Sequence, residues 1–332
     1  MKKIFLICFS LLLIFATTST TKHKIFVIGD STACLYDSAA YYPRTGWAQV
    51  LKDYVKSDSV IIADSALSGR SSRSFYNEGH WTAIKKLIKS GDYVIIQFGH
   101  NDEKTSDTSR GTLPGSTFEQ YLSIYIDQAE SLGAVPILAT PIERNKWTDS
   151  GTLQSTHITS DGDYPQAIRN LASKKGIVLI DATELTHAYF EKIGEDSTTK
   201  LFMVFASGVW PNYSSGDTDN THLQQSGARA ISQLVVNNIV SQKIPVLYTW
   251  IAGVTGLSKP VEVSHENYRN ETRKIIGING QYYTGRADNI PSFNIYDAAG
   301  RTVSATQTRG IVNRIGTGIY VMRPDHAATG EK

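Results

Sequence analysis

From residue 24 onward, short runs that are apolar throughout alternate with stretches in which apolar side chains recur every three or four positions. The runs are 25–28 (IFVI), 60–63 (VIIA), 93–98 (YVIIQF), 135–139 (VPILA) and 177–180 (IVLI). A run without polar alternation marks a strand buried on both faces, as in a parallel sheet. Residues 46–55 place Trp47, Val50, Leu51 and Tyr54 on one helical face, and 81–88 do the same with Ile84, Leu87 and Ile88. Further helices are predicted over 118–132, 164–175 and 223–240, the last with Ala228, Ile231, Leu234, Val235 and Ile239 on its apolar side. Gly91, Gly133 and Gly176 supply stop signals. The pattern predicts a three-layer α/β domain over residues 24–243, with right-handed crossovers. Such sheets bind ligands beyond the carboxyl ends of their strands, and the polar clusters after Ile28, Ala63, Phe98 and Ala139 all fall there.

The two ends of the chain differ in character. Lys2 and Lys3 precede a short apolar run over 4–16 and then small and polar residues, which predicts a signal peptide over 1–20 and export to the outside or the cell surface. The run is short for a membrane span of about 20 residues, so no membrane insertion is expected after processing. Beyond residue 243, alternating segments over 262–283 and 292–323 carry the turn pairs Asn279-Gly280, Ala299-Gly300 and Thr317-Gly318. They predict a small all-β domain over 254–332, joined by a segment containing Pro245 and Pro260.

Composition narrows the chemistry only slightly. The 332 residues carry a formal net charge of +2, so neither nucleic acid nor an anionic membrane is an expected partner. Of the 2 cysteines, Cys8 lies in the predicted signal peptide, leaving Cys34 as a small buried apolar residue and no internal disulfide.

Four segments at the ligand edge carry candidate chemistry. Ser31, in Gly29-Asp30-Ser31-Thr32, exposes a hydroxyl where backbone N–H groups can hold an oxyanion. Asp219 precedes His222 by three residues, close enough for its carboxylate to reach the imidazole Nδ1 and fix the tautomer. Gly69 lets the backbone approach a substrate and donate its N–H, and Asn101 offers a side-chain amide. Taken singly, each has a plainer account: a capping serine, a helix-start histidine, a turn glycine, a loop asparagine. Together they make a nucleophile, base and orienter (Ser31, His222, Asp219) and three oxyanion donors (Ser31 N–H, Gly69 N–H, Asn101 Nδ2). His100, His157 and His187 show no ligand-like spacing, so neither metal nor cofactor is expected.

These segments resemble the blocks of the SGNH (GDSL-like) hydrolases: GDST at 29–32, the Gly69 segment, GHND at 99–102 and DNTH at 219–222. The longer strings SGRSSRSF (68–75), QFGHND (97–102) and TPIERNKW (140–147) are similar to the rhamnogalacturonan acetylesterase branch. The resemblance implies a flavodoxin-like α/β/α sandwich and a secreted serine esterase that deacetylates plant cell-wall polysaccharide, with Ser31, Asp219 and His222 as triad. Acetylxylan or a general short-chain ester is the alternative substrate, and a non-catalytic glycan-binding surface protein is the alternative from another class. Trp81, Trp147 and Trp210 are candidates for stacking on sugar rings; Arg70 and Arg73 are candidates for meeting uronic acid charges or local carboxylates. At the other end, FNIYDAAGRTV (293–303) and GIYVMR (318–323) resemble the C-terminal β-sandwich sorting domains of Bacteroidetes-type secretion, which implies secretion machinery as a partner. A plain β accessory domain stays open beside that resemblance.

Overall fold

The computed structural model describes residues 22–252 and, by backbone alone, five strands between residues 273 and 324. The chain divides into two compact units, Met1–Val261 and Glu262–Lys332. The predicted signal peptide over 1–20, the domain start at Val254, Pro260 and the three turn pairs lie outside the described residues.

The first unit is built on strands β1 (His23–Gly29), β2 (Val60–Asp64), β3 (Tyr93–Gln97) and β4 (Val135–Ala139). After the short pair β5 (Ile158–Thr159) and β6 (Gly162–Asp163) comes β7 (Val178–Ile180). Strands β1, β2, β3, β4 and β7 form one five-stranded parallel sheet in the order β2-β1-β3-β4-β7. Alternate side chains of a strand leave opposite faces, and both faces here are covered. Ile25, Val27, Tyr93, Ile95 and Ile137 enter one core; Phe26, Ile28, Val94, Ile96 and Leu138 enter the other. Each fully buried side chain of this kind stabilises by about 1.5–3 kcal/mol, against about 1 kcal/mol for a helix cap, so the central strands hold the domain together.

The helices are α1 (Ser38–Tyr41), α2 (Trp47–Leu51), α3 (Ser72–Asn77), α4 (His80–Ile84), α5 (Thr117–Ser131), α6 (Tyr164–Lys175), α7 (Ala182–Ile193), α8 (Glu195–Thr199), α9 (Gln225–Ser241) and α10 (Leu247–Trp250). Helices α2, α7 and α9 pack on the first core, and α3 to α6 on the second. The result is the expected three-layer sandwich. The predicted helix over 46–55 tightens after Leu51 into a 3-10 turn, and that over 81–88 does so after Ile84. The change of winding shifts the face, and Leu87, expected on the apolar side, is 56% exposed.

Two antiparallel strand pairs of this unit, β5 with β6 and a second ahead of α9, were not legible in the pattern. The segment ahead of α9 is not a loop but strand β9 (Asp217–Leu223), antiparallel to β8 (Phe202–Phe205). Its sequence, DTDNTHL, holds a single apolar residue, so nothing alternates. Ile244, Leu247, Trp250 and Ile251 are buried in the first core, so that core continues past residue 243. In the second unit the described elements are strands: β10 (Arg273–Ile278) pairs with β11 (Gln281–Arg286), and β12 (Phe293–Tyr296) lies between β13 (Thr302–Ala305) and β14 (Val321–Pro324), all antiparallel. Among the described residues no helix is long and apolar enough to cross a membrane.

The sheet order fixes where a ligand can sit. From β1 the chain steps outward to β2, then returns to the other side of β1 as β3, which opens a crevice at the carboxyl ends of β1 and β3. Residues 44–47 run beside this crevice. Thr45 N–H donates to Leu223 O at 3.0 Å on β9, and Trp47 N–H donates to Thr32 O at 2.9 Å just past β1. Between them, a Cβ on Gly46 would lie 2.1 Å from Cys34 O and 2.4 Å from Ala33 O, both backbone atoms that cannot turn aside. Gly46→Ala is therefore expected to destabilise the domain by about 1–3 kcal/mol, with a fall in melting temperature of several degrees. Gly151→Ala, where a Cβ meets nothing within 4 Å, carries only the strain of its positive φ and serves as the control in the same melts.

Candidate active site

Strand β1 delivers Ser31 to the crevice through a tightly specified turn. Gly29 passes so close to β3 that a Cβ would lie 2.6 Å from Gln97 O. Asp30 then closes one helical turn, its carbonyl accepting from Ala33 N and Cys34 N, both at 3.2 Å. Its carboxylate holds the inside of the turn: Oδ1 accepts from Thr32 N at 2.9 Å and Thr32 Oγ1 at 2.8 Å, while Oδ2 faces His100 Nδ1 at 3.0 Å. Gln97 Nε2 donates to Thr32 Oγ1 at 2.9 Å, and Trp47 Nε1 donates to Gln97 Oε1 at 2.5 Å. Asp30, Thr32, Gln97 and Trp47 are thus committed, while Nε2 of His100 is buried without a partner among the described residues. The Ser31 carbonyl accepts from Tyr36 Oη at 2.9 Å, but its Oγ and N–H find no partner among the described residues.

Strand β9 supplies the second element. His222 Nδ1 lies 2.6 Å from Asp219 Oδ2, while Asp219 Oδ1 accepts from the backbone N–H groups of Thr221 (2.9 Å) and His222 (3.0 Å). Burial works against ionising Asp219, but the His222 contact and these two N–H groups outweigh it and hold the carboxyl far below the usual range. Arg44 Nη2 adds a fourth donor at 3.0 Å from Oδ2 and also lies 3.6 Å from Asp217 Oδ2. The Arg44 guanidinium also lies 5.9 Å from the centroid of the Tyr36 ring, the same tyrosine that bonds Ser31 O. An ionised Asp219 accepts a hydrogen bond from Nδ1–H, and in that tautomer the lone pair of His222 is on Nε2. Ser31 Oγ and His222 Nε2 carry no mutual hydrogen bond, and such catalytic bonds often form only with substrate in place.

Gly69 and Asn101 stand on the loops after β2 and β3. Gly69 has φ +76°, a left-handed conformation in which a side chain is strained, and a Cβ there would meet nothing within 4 Å. Its N–H, like that of Ser31, finds no acceptor among the described residues. Asn101 is buried; its Nδ2 donates to Arg70 O at 3.1 Å and its Oδ1 accepts from Lys104 Nζ at 2.8 Å. One Nδ2 hydrogen is left uncommitted.

A family model for the GDSL-like lipase/acylhydrolases matches residues 27–230 of this chain. The chain belongs to that family. It is similar to a rhamnogalacturonan acetylesterase of Bacillus subtilis, at 36% identity over 225 residues that cover 67% of this chain and 92% of the relative. It is also similar to a rhamnogalacturonan acetylesterase of Emericella nidulans, at 29% identity over 259 residues, covering 72% of this chain and 92% of the relative. Among solved structures, the crystal structure of the protein YxiM of Bacillus subtilis superposes with a TM-score of 0.57 at 32% identity, covering 68% of this chain and 58% of that one. The family membership makes this chain a serine ester hydrolase.

The remaining candidates take other places in this GDSL-like hydrolase. Cys34 is buried and its thiol is pushed up to about 12, chiefly by burial, so it is not a nucleophile. Trp81 is not at the ligand edge: it is fully buried in the second core and donates to Gln128 Oε1 at 2.9 Å. Trp147 packs against the first core, and Trp210 stands edge-on to Tyr42 at 5.3 Å. Arg70 pairs with Glu78 at 2.9 Å, while Arg73 donates to Thr108 O at 2.8 Å. The three histidines each take a carboxylate: His100 with Asp30, His157 with Glu103, His187 with Glu143. Among the described residues no cluster of three or more His, Cys, Asp or Glu is arranged to hold a metal. Sequence reasoning passed over Arg44, Lys104 and the Asp30–His100 pair. Arg44 and the Asp30–His100 pair have no local signal, because each meets its partner across the fold; Lys104 lies only three residues from Asn101, a local spacing that was passed over.

The buried pair behind Ser31 carries a pH dependence. His100 is 3% exposed and pushed down to about 4, chiefly by burial, so it is neutral and donates Nδ1–H to Asp30. In an unfolded chain a histidine titrates near 6.5. Its proton affinity is therefore greater when unfolded, and this group weakens the fold as pH falls from about 6.5 toward 4. Asp102, pushed up to about 7 by burial, has the opposite sign, since acid protonates it in the folded chain first. His100→Asn keeps a donor toward Asp30 and does not titrate. Urea midpoints should show the variant less stable at neutral pH and the gap closing in acid; a gap constant over that range would mean His100 is not held neutral.

Proposed function

We propose that this esterase removes acetyl groups from plant cell-wall polysaccharide, rhamnogalacturonan foremost, and that it works outside the cell. Ser31 is the nucleophile, His222 the base and Asp219 its orienter. Ser31 N–H, Gly69 N–H and Asn101 Nδ2 receive the oxyanion. The observation that carries this is the 2.6 Å contact of His222 Nδ1 with an ionised Asp219, which fixes the ring and its tautomer in the domain that also holds the uncommitted Ser31 hydroxyl. Support for the sugar comes from the two relatives that bear the name rhamnogalacturonan acetylesterase. Support for export comes from the basic, apolar and then small-residue pattern of residues 1–20. The C-terminal β unit, from its resemblance to sorting domains, addresses the protein through secretion machinery.

The chemistry follows from the roles. His222 Nε2 takes the Ser31 hydroxyl proton as Oγ bonds the acetyl carbonyl carbon, and the carbonyl oxygen gains the negative charge that the three donors receive. Collapse breaks the bond to the sugar oxygen, which leaves with the proton from His222. A water then gives its proton to His222, attacks the acetyl-serine and releases acetate, returning the proton to Ser31.

The test is acetate release from acetylated rhamnogalacturonan and acetylated xylan by the wild type, Ser31→Ala and His222→Ala. Release that either substitution lowers by about 10³-fold or more is expected, with rhamnogalacturonan preferred. Preference for xylan would overturn the substrate, and no release from either polymer or from 4-nitrophenyl acetate would leave a glycan-binding protein in its place.

A further inference from the structure

We propose that Lys104 is a positioning residue for the oxyanion amide of Asn101, a role that rests on the esterase reading above. Its ammonium bonds Asn101 Oδ1 at 2.8 Å, which fixes the way the amide faces and sharpens Nδ2–H as a donor.

An asparagine serves an oxyanion only in one of its two orientations. Flipped, it turns the lone pairs of Oδ1 on a developing negative charge, and an attraction becomes a repulsion. The two ends are almost the same shape, so packing alone cannot choose between them. Here the partners choose. An ammonium has only hydrogens to give, so the atom facing Lys104 is oxygen; a carbonyl only accepts, so the atom facing Arg70 O, at 3.1 Å, is nitrogen. The clamp leaves one Nδ2 hydrogen, and the positive charge on the far side of the amide pulls electron density away from it.

The turn places the lysine for this. Glu103 N bonds Gly99 O at 3.1 Å and Lys104 N bonds Asn101 O at 3.3 Å, which winds residues 99–104 back on themselves. Lys104 is exposed, yet other cations stand near its ammonium: burial of part of the side chain and the guanidinium groups of Arg110 and Arg144 lower its pKa, against the opposing pull of Glu103 and Asp30. Arg110 and Arg144 each have a carboxylate of their own, Asp107 and Glu103, while Lys104 forms no ion pair among the described residues. Its ammonium is directed onto a neutral amide instead, and a clamp on Asn101 accounts for that choice of partner.

A double-mutant cycle on 4-nitrophenyl acetate, with Ser31→Ala alongside, tests this. Lys104→Met is expected to lower kcat by about 10-fold, some 1.4 kcal/mol, with KM within about two-fold. Lys104→Arg should recover most of that loss, since the charge and the donor return. Asn101→Ala should cost about 10²–10³-fold in kcat, and adding Lys104→Met to it should cost less than about two-fold, because nothing is left to position. Multiplying losses, a rise in KM in place of a fall in kcat, or an unchanged kcat in Lys104→Met would each overturn the proposal, the first two by making Lys104 a contact of its own with substrate. If the rate survives Ser31→Ala, the esterase reading itself fails and takes this one with it; a Ser31-dependent rate indifferent to Lys104 sinks only the clamp.

Discussion

The bare backbone of Gly46 lies against the carbonyls of Ala33 and Cys34, and the whole site depends on that contact. The Ser31 turn is built by β1, near the start of the chain, and the Asp219–His222 pair by β9, close to the end of the domain. Residues 44–47 join the two directly. Backbone bonds tie this strap to Leu223 on one side and Thr32 on the other, while the Arg44 side chain reaches Asp219 and the Tyr36 ring. A side chain at position 46 would push the strap outward, and His222 with it. The requirement is therefore steric at its root and electrostatic only in its consequences.

Around the Ser31 turn the fold accepts charged groups in its interior. Asp30 and Asp102 are fully buried, and His100 nearly so. Buried carboxylates are costly unless both oxygens are hydrogen-bonded. Asp30 meets that condition with two donors from Thr32 and one from His100. Asp102 does so with the amide and hydroxyl of Ser72 and the hydroxyl of Thr112, and burial still pushes it up to about 7. Hydrophobic packing would hold the same loops at lower cost but with less definition. A hydrogen-bonded network sets angles as well as distances, and a turn that must present one hydroxyl and one N–H, both unsatisfied, needs its other polar atoms fixed.

Much of this was legible in the chain. The five apolar runs became the five strands of the sheet, because a strand buried on both faces leaves no ambiguity of period. The proximity of Asp219 and His222 was legible because three residues is a local distance. Strand β9 was not, since its residues are polar for the sake of the site and so erase the alternation that reveals strands. Trp81 was misplaced for a related reason: a tryptophan beside polar loops has the same letters whether it faces sugar or core. Arg44 and the pairing of His100 with Asp30 left no trace, because the fold brings those partners together; Lys104, three residues from Asn101, was within local reach and was passed over.

The acid at Asp219 illustrates how geometry assigns a role that composition leaves open. Asp219 could in principle take the proton from His222, or only orient it. Four donors converge on its two oxygens: the His222 ring, the N–H groups of Thr221 and His222, and Arg44. A carboxyl held so far below the usual range cannot compete with imidazole for a proton near neutrality. In the proposed cycle the proton taken from Ser31 therefore stays on His222 until the leaving group claims it, and Asp219 contributes by holding the ring and facing its positive charge. Arg44 strengthens this assignment even as it competes for Oδ2, since a carboxylate shared between two cations is one that stays ionised throughout the cycle.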